Sequence, residues 1–319
     1  MSESRIGLLS QCLPPSPHWT SKDVPDQSGK VVLVTGSNRG IGREIARVLL
    51  SNNAKVYIAA RDETSAQQTV KELKEETGKQ DVFFLKLDLA DLSSIKTAVE
   101  EFTKNETKLH TLYNNGALLL APVELLTKQG YQGQFGTNVL GHFYLTKLLL
   151  PILIATAKDS LPGAVRVVTV SSIAHNFGIP PEGINWDTIG PNPDLEIRKK
   201  VGSSKLYAQS KLGNILISNE LARRVSDKNI VATSLHPGGI NSSPSKWNII
   251  ARLLMYYFLD DVAHGAITPL YAGTAPAAAE LNGKYLTVWA RLTLPSEKAL
   301  DLELQERLWE WCEDQVKNL

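Results

Sequence analysis

The sequence predicts an α/β fold, a single domain on a doubly wound parallel sheet of about seven strands with helices on both faces. Three features predict it. Short apolar runs rich in β-branched residues alternate with amphipathic stretches of helical length, as buried parallel strands and their crossover helices do. The first run, 31–35, ends in a glycine-rich turn that opens a helix, Thr35-Gly36-Ser37-Asn38-Arg39-Gly40-Ile41-Gly42. Much later, Tyr207-Ala208-Gln209-Ser210-Lys211 sets a phenol and an ammonium four residues apart, hence on one face of a helix.

Residues 1–28 are polar and rich in Ser and Pro, and are expected to form an N-terminal extension and not a signal peptide; the domain spans 29–319. Val31-Val32-Leu33-Val34-Thr35 reads as a doubly buried strand and 41–50 as a helix. Residues 55–60 form a second strand, 63–77 a charged amphipathic helix, 82–87 a third strand and 92–104 another helix. The fourth strand, 109–113, ends in Asn114-Asn115-Gly116-Ala117. A long helical stretch covers 131–157, and Pro151 should kink or interrupt it. Strand five, 164–170, leads into Ser171-Ser172. The Pro-, Gly- and Asn-rich stretch 175–201 is expected to be an irregular excursion, and such excursions often carry function.

The helix 203–225 carries Tyr207 and Lys211, and strand six, 230–235, runs into His236-Pro237-Gly238-Gly239-Ile240. A last strand covers 284–289 and a terminal helix 299–319, whose Trp309 and Trp311 are packing residues or a dimer contact. Between them, 243–259 starts polar and ends apolar and aromatic, from Trp247 through Phe258. Core, lid over an apolar substrate and interfacial membrane helix all fit that pattern. The segment 243–283 is expected to serve as the substrate-binding lid.

The glycine-rich turn has two readings. It is a tight connection, or it lets the backbone approach a pyrophosphate and aims helix N-terminal amides at it. Its spacing is G-x-x-x-G-x-G, not the usual G-x-G-x-x-G. The residue closing the second strand of such a site meets the adenosine ribose, where an acid holds a 2′-hydroxyl and an arginine holds a 2′-phosphate. Arg61 stands there, with Arg39 in the turn beside it, and together they favour NADP(H) over NAD(H). Asp62 follows one residue too late. Asp88, closing strand three before Leu89, is placed to meet an adenine amino group, with a helix N-cap near Asp91 as the plainer reading. A free Tyr titrates near ~10 and a free Lys near ~10.4. A positive charge held beside the phenol lowers its pKa, which would make Tyr207 a proton donor and acceptor near neutral pH. His142 and His236 read as packed residues.

With 43% hydrophobic and 21% charged residues and a formal net charge of +1, the chain has ample material for a core and no electrostatic pull toward nucleic acid or an anionic membrane. Cys12 and Cys312 lack Cys or His neighbours at ligand spacing, so no metal site is expected, and their scarcity suits a reducing compartment, the cytoplasm. The apolar stretches fall short of the ~20 residues a transmembrane helix needs.

With these motifs in order, the chain resembles the classical short-chain dehydrogenase/reductase family, a Rossmann fold, over roughly residues 29–288. The residues that carry the resemblance are Thr35-Gly36-x-x-x-Gly40-x-Gly42, Asp88-Leu89, Asn114-Asn115-Gly116-Ala117, Asn138, Ser172, Tyr207-x-x-x-Lys211 and Pro237-Gly238. Phe-Gly-Thr-Asn-Val-Leu-Gly-His-Phe, Val-Ser-Ser-Ile-Ala-His and the long insert are similar to the retinol-dehydrogenase-like branch, especially its soluble fungal members. Two departures stand out: the family's Asn-Asn-Ala-Gly has its last two residues exchanged, and Ser172 lies further before Tyr207 than usual, with Ser171 as a substitute. The family's Thr after Pro-Gly corresponds to Ser242.

The resemblance implies hydride transfer between NADP(H) and a carbonyl or alcohol. Tyr207 would be the acid/base, Ser172 would hold the oxygen, Lys211 would assist Tyr207 and bind the nicotinamide ribose, and Asn138 would anchor a relay water. The cofactor would lie on Gly36, Ser37, Asn38, Arg39, Gly40, Ile41, Gly42, Arg61, Asp88, Leu89, Asn115, Gly116, Pro237, Gly238, Ile240 and Ser242. The substrate would be a hydrophobic small molecule, and a homodimer is an open expectation. The alternative reading is a non-catalytic NADP(H)-binding redox sensor on the same fold.

Overall fold

The computed structural model describes residues 5–239 and 261–319. Eight strands form one sheet: β1 Val31–Thr35, β2 Lys55–Ala60, β3 Val82–Lys86, β4 Thr111–Asn114, β5 Val165–Val170, β6 Ile230–Leu235, β7 Tyr285–Thr287 and β8 Arg291–Thr293. Their order across the sheet is β3-β2-β1-β4-β5-β6-β7-β8. All neighbours are parallel except β7 and β8, an antiparallel pair. The eighth strand was not foreseen, because three residues carry too short an alternation to read.

Because side chains alternate across a strand, β1 feeds two cores at once. Val31 and Leu33 join one cluster with Leu112, Val165 and Val167. Val32 and Val34 join the other with Val56, Ile58, Val168 and Val170. The first cluster is completed by helices Leu92–Asn105, His142–Lys158, Ser203–Arg224 and Leu302–Val316. The second is completed by Gly40–Ser51, Glu63–Thr77 and Val262–Thr274. The result is the three-layer, doubly wound arrangement expected.

Several local expectations are corrected. Helix His142–Lys158 runs through Pro151 unbroken, with Pro151 exposed on its surface. What precedes it is a π-helical stretch, Gly136–Gly141, in which Asn138 sits. The whole span 133–158 is long and apolar enough to cross a membrane, but most of it is buried as a core helix. The excursion 175–201 is not wholly irregular: Asp194 Oδ1 accepts from Glu196 and Ile197 N–H and starts a helix, Leu195–Val201. Seven residues are too few to show a helical period.

Helix Val262–Thr274, inside the segment expected to be a lid, is built into the sheet's second face. A Cβ on its Gly273 would lie 1.8 Å from the Tyr113 hydroxyl, so only glycine admits this approach. Residues 262–274 of the expected lid are therefore core. Its stretch 243–260, with Trp247 through Phe258, lies outside the described residues, as do Ile240 and Ser242. Trp309 packs edge-on against Phe143, and Trp311 against Tyr131 and Phe135, which makes both packing residues of this chain. Part of the N-terminal extension is core as well: Val24 is buried, and Gln27 N–H donates to Asn52 O at 2.7 Å.

Candidate active site

The sheet order reverses direction in sequence between β1 and β4, so the crossovers leave in opposite directions there and open a crevice at the strands' carboxyl ends. The sequence-predicted residues within the described chain gather along this edge: the glycine-rich turn after β1, Arg61 after β2, Asp88 after β3, Asn115 and Gly116 after β4, Ser172 after β5, and Pro237 and Gly238 after β6.

The turn after β1 is a cradle shaped by missing side chains. Gly36 has φ +64°, and a Cβ there would come within 2.7 Å of Gly116 Cα. A Cβ on Gly42 would meet Asn115 Nδ2 at 2.6 Å and Gly36 O at 2.7 Å. Gly116 lies against Gly36: a Cβ on Gly116 would stand 3.1 Å from Leu89 Cδ1 and 3.3 Å from Gly36 N, a tight contact that glycine in the first exchanged position avoids. Thr35 fastens the two turns: its hydroxyl oxygen accepts from Asn115 and Gly116 N–H, each at 2.9 Å, and its carbonyl accepts from Asn115 Nδ2 at 2.9 Å. Ser37 Oγ donates to Val34 O at 2.6 Å and is buried, so its side chain shapes the turn from within. Ile41 is half-buried against the second core. This narrow cradle at a helix N-terminus fits a dinucleotide pyrophosphate.

At the adenosine end, Asn38 Nδ2 donates to Ser65 Oγ at 2.9 Å and Asn38 O accepts from Thr69 Oγ1 at 2.9 Å, tying the turn to helix Glu63–Thr77. Asp62 is spent on capping that helix, accepting from Ser65 N–H at 2.7 Å. Arg39 and Arg61 are exposed, and among the described residues no acidic group pairs with either. Asp88 is half-buried, with one oxygen accepting from Ala90 N–H at 2.9 Å; the N-cap is Asp91, which accepts from Ser93. Leu89 is a core side chain, and its carbonyl passes so near Gly141 that a Cβ there would stand 2.4 Å away.

The other end of the crevice is desolvated. Tyr207 and Lys211 share a helix face as predicted, with Lys211 Nζ 5.8 Å from the Tyr207 ring centre. Lys211 is buried, and Nζ donates to Val170 O at 2.8 Å, a carbonyl that also accepts from Asn214 Nδ2 at 3.1 Å. Burial pushes the Tyr207 phenol up to about 12, with the Ser172 hydroxyl pulling the other way, and pushes the Lys211 ammonium down to about 7. Burial dominates the phenol's shift, and the influence set against it is the Ser172 hydroxyl.

Ser171 and Ser172 separate cleanly. Ser171 Oγ donates to Lys211 O at 2.7 Å from a buried position, whereas Ser172 is half-buried and faces the Tyr207 phenol. Asn138 is fully buried, accepts from Leu118 N–H at 2.8 Å, and donates to Leu118 O at 3.0 Å and Ser210 Oγ at 2.9 Å. His142, one helical turn on, bonds Asn138 O at 3.0 Å and the Thr35 hydroxyl at 2.9 Å, and burial lowers its pKa to about 4. It is a neutral strut between the two ends of the site, a role hidden in the sequence because its partners are far away in the chain. His236 is likewise buried, its pKa lowered to about 3 by burial. Gly238 has φ +104° against Val288 and Trp289.

A phosphate cradle at a sheet's switch point, beside a desolvated Tyr–Lys pair, defines the class: a dinucleotide-dependent oxidoreductase. Residues 30–182 match the short chain dehydrogenase family. A short-chain dehydrogenase/reductase of Armillaria gallica is 46% identical over 312 residues, 98% of each chain. Retinol dehydrogenase 12 of Mus musculus is 38% identical over 284 residues, 88% of this chain and 84% of that one. A solved structure of an uncharacterised Mycobacterium paratuberculosis protein shares the fold with a TM-score of 0.70 and 30% identity, over 94% of this chain and 97% of that one. The chain belongs to the classical short-chain dehydrogenase/reductase family, nicotinamide-dependent enzymes acting on alcohols and carbonyls.

Proposed function

We propose that the protein is an NADP(H)-dependent reductase of hydrophobic ketones or aldehydes, able to oxidise the corresponding alcohols. The observation that carries the chemistry is Ser172 and Tyr207 facing one point of the crevice, with Lys211 buried behind them. The nicotinamide, when bound, supplies the hydride. As the carbonyl oxygen gains negative charge, Ser172 Oγ donates a hydrogen bond to it and Tyr207 gives it the phenolic proton. With a pKa near 12, Tyr207 is protonated and ready to donate at neutral pH. Lys211 stabilises the phenolate left behind, and Asn138 holds the turn at Leu118 and the helix at Ser210 in register.

The preference for NADP(H) rests on Arg39 and Arg61: two exposed arginines without acidic partners among the described residues suit a 2′-phosphate, while the carboxylate that would hold a 2′-hydroxyl, Asp62, is committed to its helix. A hydrophobic substrate accords with the likeness to a retinol dehydrogenase. The test is NADPH oxidation with a panel of bulky ketones and aldehydes, with NADH and Tyr207→Phe as controls. Turnover with NADPH that vanishes in the variant is the expected result. Tight NADPH binding without turnover of any carbonyl would overturn the reductase reading in favour of a sensor.

A further inference from the structure

His175 is the buried residue of the short turn of helix Ile173–Asn176, which leads out of β5 and is capped by Ser172. The chemistry at the carbonyl does not call on it. Yet both of its ring nitrogens are engaged, each by a partner that can play only one role. Nδ1 lies 2.6 Å from the Ser172 carbonyl oxygen, which can only accept, so Nδ1 carries the hydrogen. Nε2 lies 3.1 Å from the Ser296 N–H, which can only donate, so Nε2 is bare. Together the two bonds admit one tautomer of the neutral ring, since a protonated ring would set Nε2–H against Ser296 N–H. Burial agrees, lowering the ring's pKa to about 4, and Tyr285 packs edge-on against it at 5.2 Å.

Ser172 is thereby held at both of its oxygens. Its carbonyl accepts from His175 Nδ1 and, at 3.2 Å, from the His175 N–H. Its Oγ accepts from Ala174 N–H at 3.2 Å, which takes a lone pair and leaves the hydroxyl hydrogen to donate toward Tyr207. The two backbone bonds are long, and the short one comes from the imidazole. Beyond the ring, Ser296 belongs to a turn that is fastened in its own right. Arg5 Nη2 donates to Pro295 O at 3.1 Å, and Ile6 N–H to Thr293 Oγ1 at 2.8 Å. The imidazole thus pins the serine to a segment near the far end of the chain.

We propose that His175 is a positioning residue of the reaction: its imidazole, as the Nδ1–H tautomer, fixes Ser172 to the 293–296 turn so that Oγ meets the substrate oxygen as a donor. The proposal rests on the reductase reading above. A donor displaced by a fraction of an ångström loses much of its hold on developing charge, so the loss falls on kcat and not on cofactor binding.

The test uses the full chain with His175→Phe, which keeps a ring and removes both bonds, and His175→Asn, whose amide N–H reaches toward the Ser172 carbonyl. Each is made with and without Ser172→Ala and assayed with NADPH on the panel carbonyl that the wild-type protein turns over fastest. His175→Phe should lower kcat about thirtyfold, with KM and NADPH affinity within about twofold, and His175→Asn should come within about threefold of wild type. In the Ser172→Ala background, His175→Phe should cost less than about twofold, because the group it positions is gone. Equal losses in both backgrounds would overturn the proposal. So would proton–nitrogen correlation spectra of labelled histidine that place the ring hydrogen on Nε2, a readout that needs no variant to fold. Hydrogen exchange at the Ala174 amide should quicken in His175→Phe, and an unchanged rate would overturn the proposal as well. Quickened exchange without wild-type turnover of any carbonyl would leave Ser172 positioned by His175 and remove the reductase reading instead.

Discussion

The two ends of the crevice are built on opposite physical terms. At the adenosine end, Arg39 and Arg61 stand in solvent, with no acidic partner among the described residues, on and beside a turn whose shape comes from glycines and backbone contacts. At the reacting end, Lys211 is buried and Tyr207 half-buried, and burial pulls their pKa values from the ordinary range to about 7 and about 12. Exposed charges select a ligand cheaply because water screens them until the ligand arrives. Buried ones do chemistry but cost stability in the folded state. The two ends should therefore respond to mutation in different currencies, one in cofactor choice and the other in rate and stability.

The largest effect is expected at the reacting end. Tyr207→Phe removes the proton donor and should lower kcat by about a thousandfold, leaving NADPH affinity within about twofold. Steady-state kinetics with fluorescence titration of NADPH checks both halves. An equal loss in kcat and binding would erase the contrast between the ends.

Next is the cradle. Gly42→Ala forces a methyl into Asn115 Nδ2 and the Gly36 carbonyl. An overpacking cost of about 1–3 kcal/mol should appear as a lower Tm and weaker binding of NADPH and NADH alike. Arg61→Ala should instead weaken NADPH about tenfold and leave NADH nearly untouched, and Arg39→Ala should add to it. The ratio of the two dissociation constants is the readout, and an unchanged ratio would return the arginines to ordinary surface.

The smallest effect concerns Lys211 and pH. Its folded-state pKa, about 7, lies below its ordinary 10.5, so above pH 7 the folded protein holds fewer protons than the unfolded chain. The burial penalty is thus full below about pH 7 and relieved as pH rises toward 10.5. Lys211→Met should raise Tm most at pH 6 and least near pH 10. A constant difference across that range would mean that Lys211 is not titrating in the fold.

Much of this was legible in the chain. β1 announces itself because it is apolar on both faces, and glycine spacing after it marks a backbone approach that no other residue permits. The Tyr207–Lys211 pairing follows from helical periodicity alone. The pKa order was not legible, since it depends on how completely the fold excludes water, and helical spacing carries no information about burial. Thr35 and His142 escaped for a related reason: Thr35 braces Asn115 and Gly116 from the next sheet position, and His142 reaches back to Thr35 across the core. The helix Leu195–Val201 and strand β8 were missed because so few residues hold no period.

The carbonyl of Val170 has a mechanical consequence. It is gripped by Lys211 and Asn214, while Ser171 in turn grips the carbonyl of Lys211. These crossed ties make the end of β5 and helix Ser203–Arg224 one stiff jaw, with no hinge between the side chains that meet the oxygen. Any motion that admits a substrate or lets a product go is then expected from the parts around that jaw, not from within it.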